Sequence, residues 1–189
     1  MNRELELYIR RYITISEEEL SVFSQYLILK TIKKKEFLLK EGTTCKARYF
    51  ILEGCFRHFY IDVKGNEQII HFGIENWWIT DYASLVYQVP SKMYIQALEH
   101  TTFLELNEED LEKLYLKVPK LERFFRIIME KTYIAAQQRI EYMFSLTGKE
   151  FYEKFVGSNP VFAQRVPQYM LASYLGLTPE FISKIKSRS

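Results

Sequence analysis

The sequence predicts an α+β chain: two short N-terminal helices, an antiparallel β domain, one long helix and a terminal helix-turn-helix. Three observations predict it. Helical spacing of apolar residues near both ends gives way, between Leu29 and Glu105, to short runs rich in Ile, Phe, Tyr and Val that are divided by turn residues. The stretch opened by Pro119 runs without glycine or proline to Gly148. The segment QYMLASYLGLTPEFISKIKSR, from Gln168 to Arg188, has the spacing of two short helices joined by a tight turn.

In chain order, residues 3–12 and 16–27 show helical periodicity, and Ser16 followed by acids is a good N-terminal cap. Within the β segment the turn signals fall at Glu41-Gly42, Glu53-Gly54, Lys64-Gly65-Asn66 and Val89-Pro90, the pattern of an antiparallel sandwich or barrel. A short helix is expected over NEEDLEKLYLKV, capped at Asn107. The long helix that follows would measure roughly 40 Å at about 1.5 Å per residue. Its apolar residues form one stripe of Leu121, Phe124, Phe125, Ile128, Ala135 and Tyr142, with a shoulder of Met129, Tyr133, Ala136, Ile140 and Phe144. An arc that wide exceeds what one neighbour can cover, so the helix is expected to lie on its own β domain and on a partner subunit. A further helix near Lys149–Val156 and a Gly-Ser-Asn-Pro loop at 157–160 lead into the terminal motif.

In that motif Leu171, Leu175, Leu177, Ile182 and Ile185 face inward. The fifth position is Ala172 and the ninth Gly176, because crossing helices admit only small side chains where they touch and the turn needs a left-handed residue. Thr178 is placed to cap the second helix, Pro179 suits its first turn and Glu180 complements its dipole. Thr178, Pro179, Glu180, Ser183, Lys184 and Ser187 are then left facing outward as candidates to enter a major groove. Gln168 and Tyr169, at the start of the first helix, are placed to touch phosphate, and Arg188 to serve the backbone. An ordinary helical hairpin closing a small core would show the same pattern.

Composition narrows the function classes. An apolar fraction of 48% with 16% aromatics excludes disorder, and a net charge of +2 does not mark the whole chain as a nucleic-acid binder. The charge is uneven: from Pro160 onward four basic residues, Arg165, Lys184, Lys186 and Arg188, face the single acid Glu180. Cys45 and Cys55 lack zinc-site spacing and read as buried reduced thiols, so neither a metal nor a cofactor is expected. No apolar run approaches a membrane span and residues 1–12 carry charges throughout, so a cytoplasmic protein is expected. No nucleophile with an oriented base and no Gly-rich phosphate loop can be traced, which speaks against an enzyme.

A helix-turn-helix placed last, after a β domain and a long connecting helix, resembles the Crp/Fnr family of bacterial transcription regulators. Residues 37–73, FLLKEGTTCKARYFILEGCFRHFYIDVKGNEQIIHFG, look like the family's cyclic-nucleotide-binding-type β-roll. The run Glu75-Asn76-Trp77-Trp78 and the ending LASYLGLTPEFISKIKSR look like the subgroup common in Bacteroidetes. The resemblance implies a β-roll of the double-stranded β-helix or jelly-roll type over residues 1–118, a connecting and dimerisation helix over 119–146, and a DNA-binding domain over 147–189. No β-hairpin wing follows the recognition helix before Ser189.

It also implies partners: double-stranded DNA, a second copy of the chain, RNA polymerase and a small-molecule effector of unknown identity, with no membrane. In members that bind cyclic AMP, a Gly-Glu pair and an Arg followed by Ser or Thr hold ribose and phosphate. Those positions fall here on Ile79-Thr80 and Ser91-Lys92, so cyclic AMP is not expected to bind with regulatory affinity. An effector pocket, if present, would draw on Trp77, Trp78, Tyr82, Lys92 and Tyr94. Pro179, Glu180 and Lys184 fall where the family's recognition helix reads bases. The competing expectation is a ligand-binding or protein-interaction β-roll whose terminal helices serve assembly only.

Overall fold

Turn residues divide the aromatic-rich segments into eight strands in the computed structural model, which describes residues 2–187. The strands are β1 (Leu27–Ile32), β2 (Phe37–Leu39), β3 (Ala47–Glu53), β4 (Phe56–Ile61), β5 (Glu67–Gly73), β6 (Trp78–Ile79), β7 (Tyr94–Ala97) and β8 (Thr101–Asn107). They form two antiparallel four-stranded sheets, ordered β1-β8-β3-β6 and β2-β7-β4-β5. Each sheet mixes early and late strands, as the rolled double-stranded arrangement requires. Gly54 makes the sharp turn from β3 to β4 at φ +108°, where an added Cβ would lie 2.8 Å from the Thr101 Cα, so no other residue fits.

The helices are α1 (Arg3–Arg10), α2 (Glu17–Ser24), α3 (Tyr82–Tyr87), α4 (Leu111–Lys117), α5 (Lys120–Ser145), α6 (Gly148–Ser158), α7 (Pro160–Arg165), α8 (Gln168–Leu175) and α9 (Pro179–Lys186). Ser16 caps α2 in a full capping box with Glu19. The cap expected at Asn107 is not made: Asn107 ends β8, its side chain caps nothing, and a 3-10 turn at Glu108–Asp110 leads into α4. The expected 157–160 loop is also absent. Gly157 and Ser158 complete α6, and Pro160, whose missing N–H costs nothing in a first turn, starts α7.

The chain forms two compact units, residues 1–60 with 71–129, and residues 61–70 with 130–189. The first holds two apolar cores. One joins Leu5, Ile9, Leu20 and Phe23 of α1 and α2 to Phe50, Leu106, Leu114, Leu121, Phe124 and Phe125; the other fills the space between the sheets with Ile51, Phe56, Ile79, Leu85, Ile95 and Phe103. The expected dimer stripe is thereby corrected in its first half. Leu121, Phe124, Phe125 and Ile128 are buried in the core of their own unit, Phe124 wholly so, and are unavailable to a partner. Ala135 is exposed, and Tyr142 is half-buried with its ring 6.1 Å from that of Phe151.

Candidate nucleic-acid interface

In the second unit, α8 and α9 are built as their spacing requires. Ala172 is fully buried where the helices meet, Leu171, Leu175, Ile182 and Ile185 are buried around it, and Gly176 closes α8 in the left-handed conformation at φ +68°. Its N–H reaches the Ser173 carbonyl, and the Leu177 N–H reaches that of Ala172, satisfying the last carbonyls of α8. The Thr178 hydroxyl accepts from the Phe181 N–H, and Pro179 fills the first turn of α9. Gly148, at the start of α6, lies so near α9 that an added Cβ would meet Leu177 at 2.8 Å and Phe181 at 2.9 Å.

Glu180, Ser183, Lys184 and Ser187 are exposed on α9, as are Thr178 and Pro179. Tyr169 is 53% exposed on α8. The Gln168 side-chain amide donates to the Pro179 carbonyl at 3.0 Å and to the Ser183 hydroxyl at 2.9 Å, tying the first helix to the second. The Ser187 hydroxyl donates to the Lys184 carbonyl at 3.1 Å. Arg188 lies outside the described residues. With Lys184 and Lys186 in its last turn and Glu180 in its first, α9 complements its own dipole and presents a polar, cation-bearing face.

Two further residues hold this unit, and the sequence carried no signal of either because their partners are remote. The Ser173 hydroxyl accepts from the Ile69 N–H and donates to the Glu67 carbonyl, each at 3.0 Å. The Arg139 guanidinium donates to the Ile70 carbonyl at 2.7 Å and the Tyr174 carbonyl at 2.6 Å, and lies 4.0 Å over the Tyr174 ring. Burial lowers the Arg139 pKa, with Tyr174 opposing the shift.

The residues expected to line an effector pocket occupy separate environments in the first unit. Trp77 is 42% exposed and stacks on His71, whereas Trp78 packs against Phe50 and Phe125 in the helical core. Tyr82 packs on the core between the sheets and Tyr94 stacks on Phe59, its hydroxyl bonded to Glu41. Lys92 is exposed. What the structure does gather is a buried polar group: the Ser91 hydroxyl donates to Asp81 at 2.6 Å, the Cys45 N–H donates to the Ser84 hydroxyl at 2.8 Å, and the Thr80 hydroxyl donates to the Ala47 carbonyl at 2.9 Å. His58 is buried here, its Nε2 without a hydrogen-bond partner among the described residues, and desolvation holds its pKa at about 4 although the Asp81 charge acts to raise it. Cys45 and Cys55 are buried and, among the described residues, not joined in a disulfide. Among the described residues no helix is long and apolar enough to cross a membrane.

Residues 29–117 match the cyclic nucleotide-binding domain family. Over nearly the whole chain there are relatives of known role. The fumarate and nitrate reduction regulatory protein of Vibrio cholerae is 28% identical, the alignment covering 93% of this chain and 74% of the relative. The anaerobic regulatory protein of Haemophilus influenzae is 27% identical, covering 93% and 72%. The structure of FixK2 from Bradyrhizobium japonicum superposes with a TM-score of 0.74 at 17% identity, covering 86% of this chain and 83% of that one, and so shares the fold.

Proposed function

We infer that this chain, of the Crp/Fnr type by its relatives and its fold, is a sequence-specific DNA-binding transcription regulator acting in the cytoplasm by binding rather than catalysis. The observation that carries the reading is the α8–Gly176–α9 unit. Its buried side is closed by small and apolar residues, and its outer side offers Glu180, Ser183 and Lys184 at the start and middle of a helix that can enter a major groove. Glu180 can accept from a cytosine amino group and Lys184 can donate to guanine or to phosphate, a good base contact being worth about 1 to 3 kcal/mol. Gln168, Tyr169, Thr178, Ser183, Ser187 and Arg188 serve the DNA backbone. Pro179 offers no side-chain donor.

A homodimer is supported by the exposed half of α5. Met129, Tyr133, Ala136, Ile140 and Met143 recur at alternating spacings of four and three, the rhythm of a coiled-coil seam, and the four large ones are 38–64% exposed. The seam follows the shoulder rather than the main stripe. In this reading 119–146 is the connecting and dimerisation helix between a sensor domain (1–118) and a DNA-binding domain (147–189). Two recognition helices then meet an inverted repeat one helical turn apart.

Cyclic AMP does not suit the β-roll. Ile79 is core, Thr80 is committed to a backbone carbonyl, and the buried Asp81 carboxylate bonded to Ser91 would repel a phosphate. Whatever effector the domain senses, and whatever contact is made with RNA polymerase, must use other groups.

The test is selection of bound fragments from sheared genomic DNA with purified protein at moderate salt. An enriched inverted repeat is expected. Lys184→Ala should weaken binding to it by about 10-fold or more, the loss of one good base contact, while Lys120→Ala leaves it unchanged. Equal effects of the two substitutions, or no enrichment, would leave the β-roll as the working part.

A further inference from the structure

The helix-turn-helix is not held by apolar contacts alone. The second unit includes residues 61–70, the distal part of the β4–β5 hairpin. This segment is itself ordered: the Asp62 carboxylate accepts from the backbone N–H groups of Lys64 and Asn66 and from the side chains of Asn66 and Gln68. The hairpin meets α8 through Ser173, which bonds two of its backbone groups at once. It meets α5 through Arg139, which spends one nitrogen on Ile70 and another on Tyr174 of α8. The Tyr174 ring also lies 5.5 Å from that of Phe155, which brings in α6. Arg139 is thus a brace between long helix, hairpin and first helix of the motif, built on a planar fork that a lysine cannot reproduce. Its bonds go to carbonyls, and among the described residues its Nε has no hydrogen-bond partner.

We propose that Arg139 and Ser173 are positioning residues for DNA recognition. They set the angle at which α8, and with it α9, leaves α5, and so decide whether the outer face of α9 can dock in the groove. The proposal rests on the DNA-binding reading. Neither side chain is among the groups expected to touch a base, so their loss should cost discrimination between sequences more than general attraction to DNA. Loss of either leaves backbone donors or acceptors, most of them partly buried, unpaired and frees the hairpin from α8.

The test compares full-length wild type, Arg139→Met, Arg139→Lys and Ser173→Ala in two measurements: amide hydrogen exchange without DNA, and affinity for the selected site against random duplex at one salt concentration. Thermal melting checks that each variant is folded. The Ile69 amide should exchange up to about 10-fold faster in Ser173→Ala, as loss of one partly buried hydrogen bond implies. In Arg139→Met, affinity for the selected site should fall about 10-fold or more while that for random duplex changes less than about 3-fold, and Arg139→Lys should not restore it. Unchanged exchange at Ile69, or faster exchange with the ratio of specific to random binding intact, overturns the positioning role. A wild type that fails to distinguish the two duplexes overturns the DNA-binding reading itself, whatever the variants do.

Discussion

Arg48 is buried and Arg139 half-buried, and the two units treat them in opposite ways. In the first unit the Arg48 Nε and Nη2 each donate to a Glu108 carboxylate oxygen at 2.8 Å, and the guanidinium lies near the rings of Tyr82 and Phe125. Burial alone would lower its pKa, but the bond to Glu108, with the charges around it, turns the shift upward. In the second unit Arg139 meets two carbonyls and a ring, and burial wins. A charge answered by a charge is held whatever the neighbours do, whereas a charge answered by carbonyls on two different segments is held only while both stay in place. The first unit is therefore braced from within. The second adds to its apolar contacts a set of polar ones that a shift of one segment would break together.

Substitutions can break this contrast. Phe124→Ala should have the largest effect, removing about 3 to 5 kcal/mol from the first unit, because the site is fully buried among rings that cannot collapse onto it. Urea unfolding followed by tryptophan fluorescence checks this, since Trp77 and Trp78 both belong to that unit. A loss under about 1 kcal/mol would mean that the helical core is loosely packed.

His58 tests whether the interior between the sheets tolerates charge. It is neutral in the folded state down to about pH 4, while the unfolded chain takes a proton near pH 6.5. Its contribution is therefore fully present above pH 6.5 and is lost as pH falls towards 4, a span worth about 3 kcal/mol at most. His58→Gln should flatten the dependence of the urea midpoint on pH between 6.5 and 4, and parallel curves for the two proteins would show that His58 is not protected in the fold.

Arg48→Met should cost about 2 kcal/mol, less than a fully buried pair because the Glu108 side chain is 24% exposed and can rehydrate. Arg139→Met should cost less global stability than this while freeing the hairpin. Equal losses from the two would erase the distinction between a charge answered by a charge and one answered by carbonyls. Gly148→Ala is expected to be the mildest, about 1 kcal/mol of crowding against Leu177 and Phe181, seen as a lower melting temperature by circular dichroism with tryptophan fluorescence unaffected.

The helix-turn-helix was legible because its physics is local: Ala172, Gly176, Thr178 and Ile182 act on neighbours within a few residues. The β segment was legible as antiparallel because Gly42, Gly54 and Gly65 mark turns that need positive φ. The face of α5 turned to solvent was misjudged, since a helical arc shows which residues are apolar but not which neighbour covers them. Leu121 to Ile128 went to the core of their own unit, and the shoulder through Tyr133 and Ile140 stayed bare. Which core each aromatic joins was hidden for the same reason: Trp78 packs on the helical core and Tyr82 on the core between the sheets.

By itself, then, the sequence determined the element order, the turns and the shape of the terminal motif, because each depends on backbone conformation and on contacts a few residues apart. Only the tertiary structure decided that Ser91 would bond Asp81, that Gln168 would tie α8 to α9, and that Ser173 and Arg139 would grip a hairpin 69 to 106 residues away. The bonds to the hairpin leave no trace in local periodicity: a serine and an arginine on a helix look solvated until the fold brings distant carbonyls and amides within 3 Å of them.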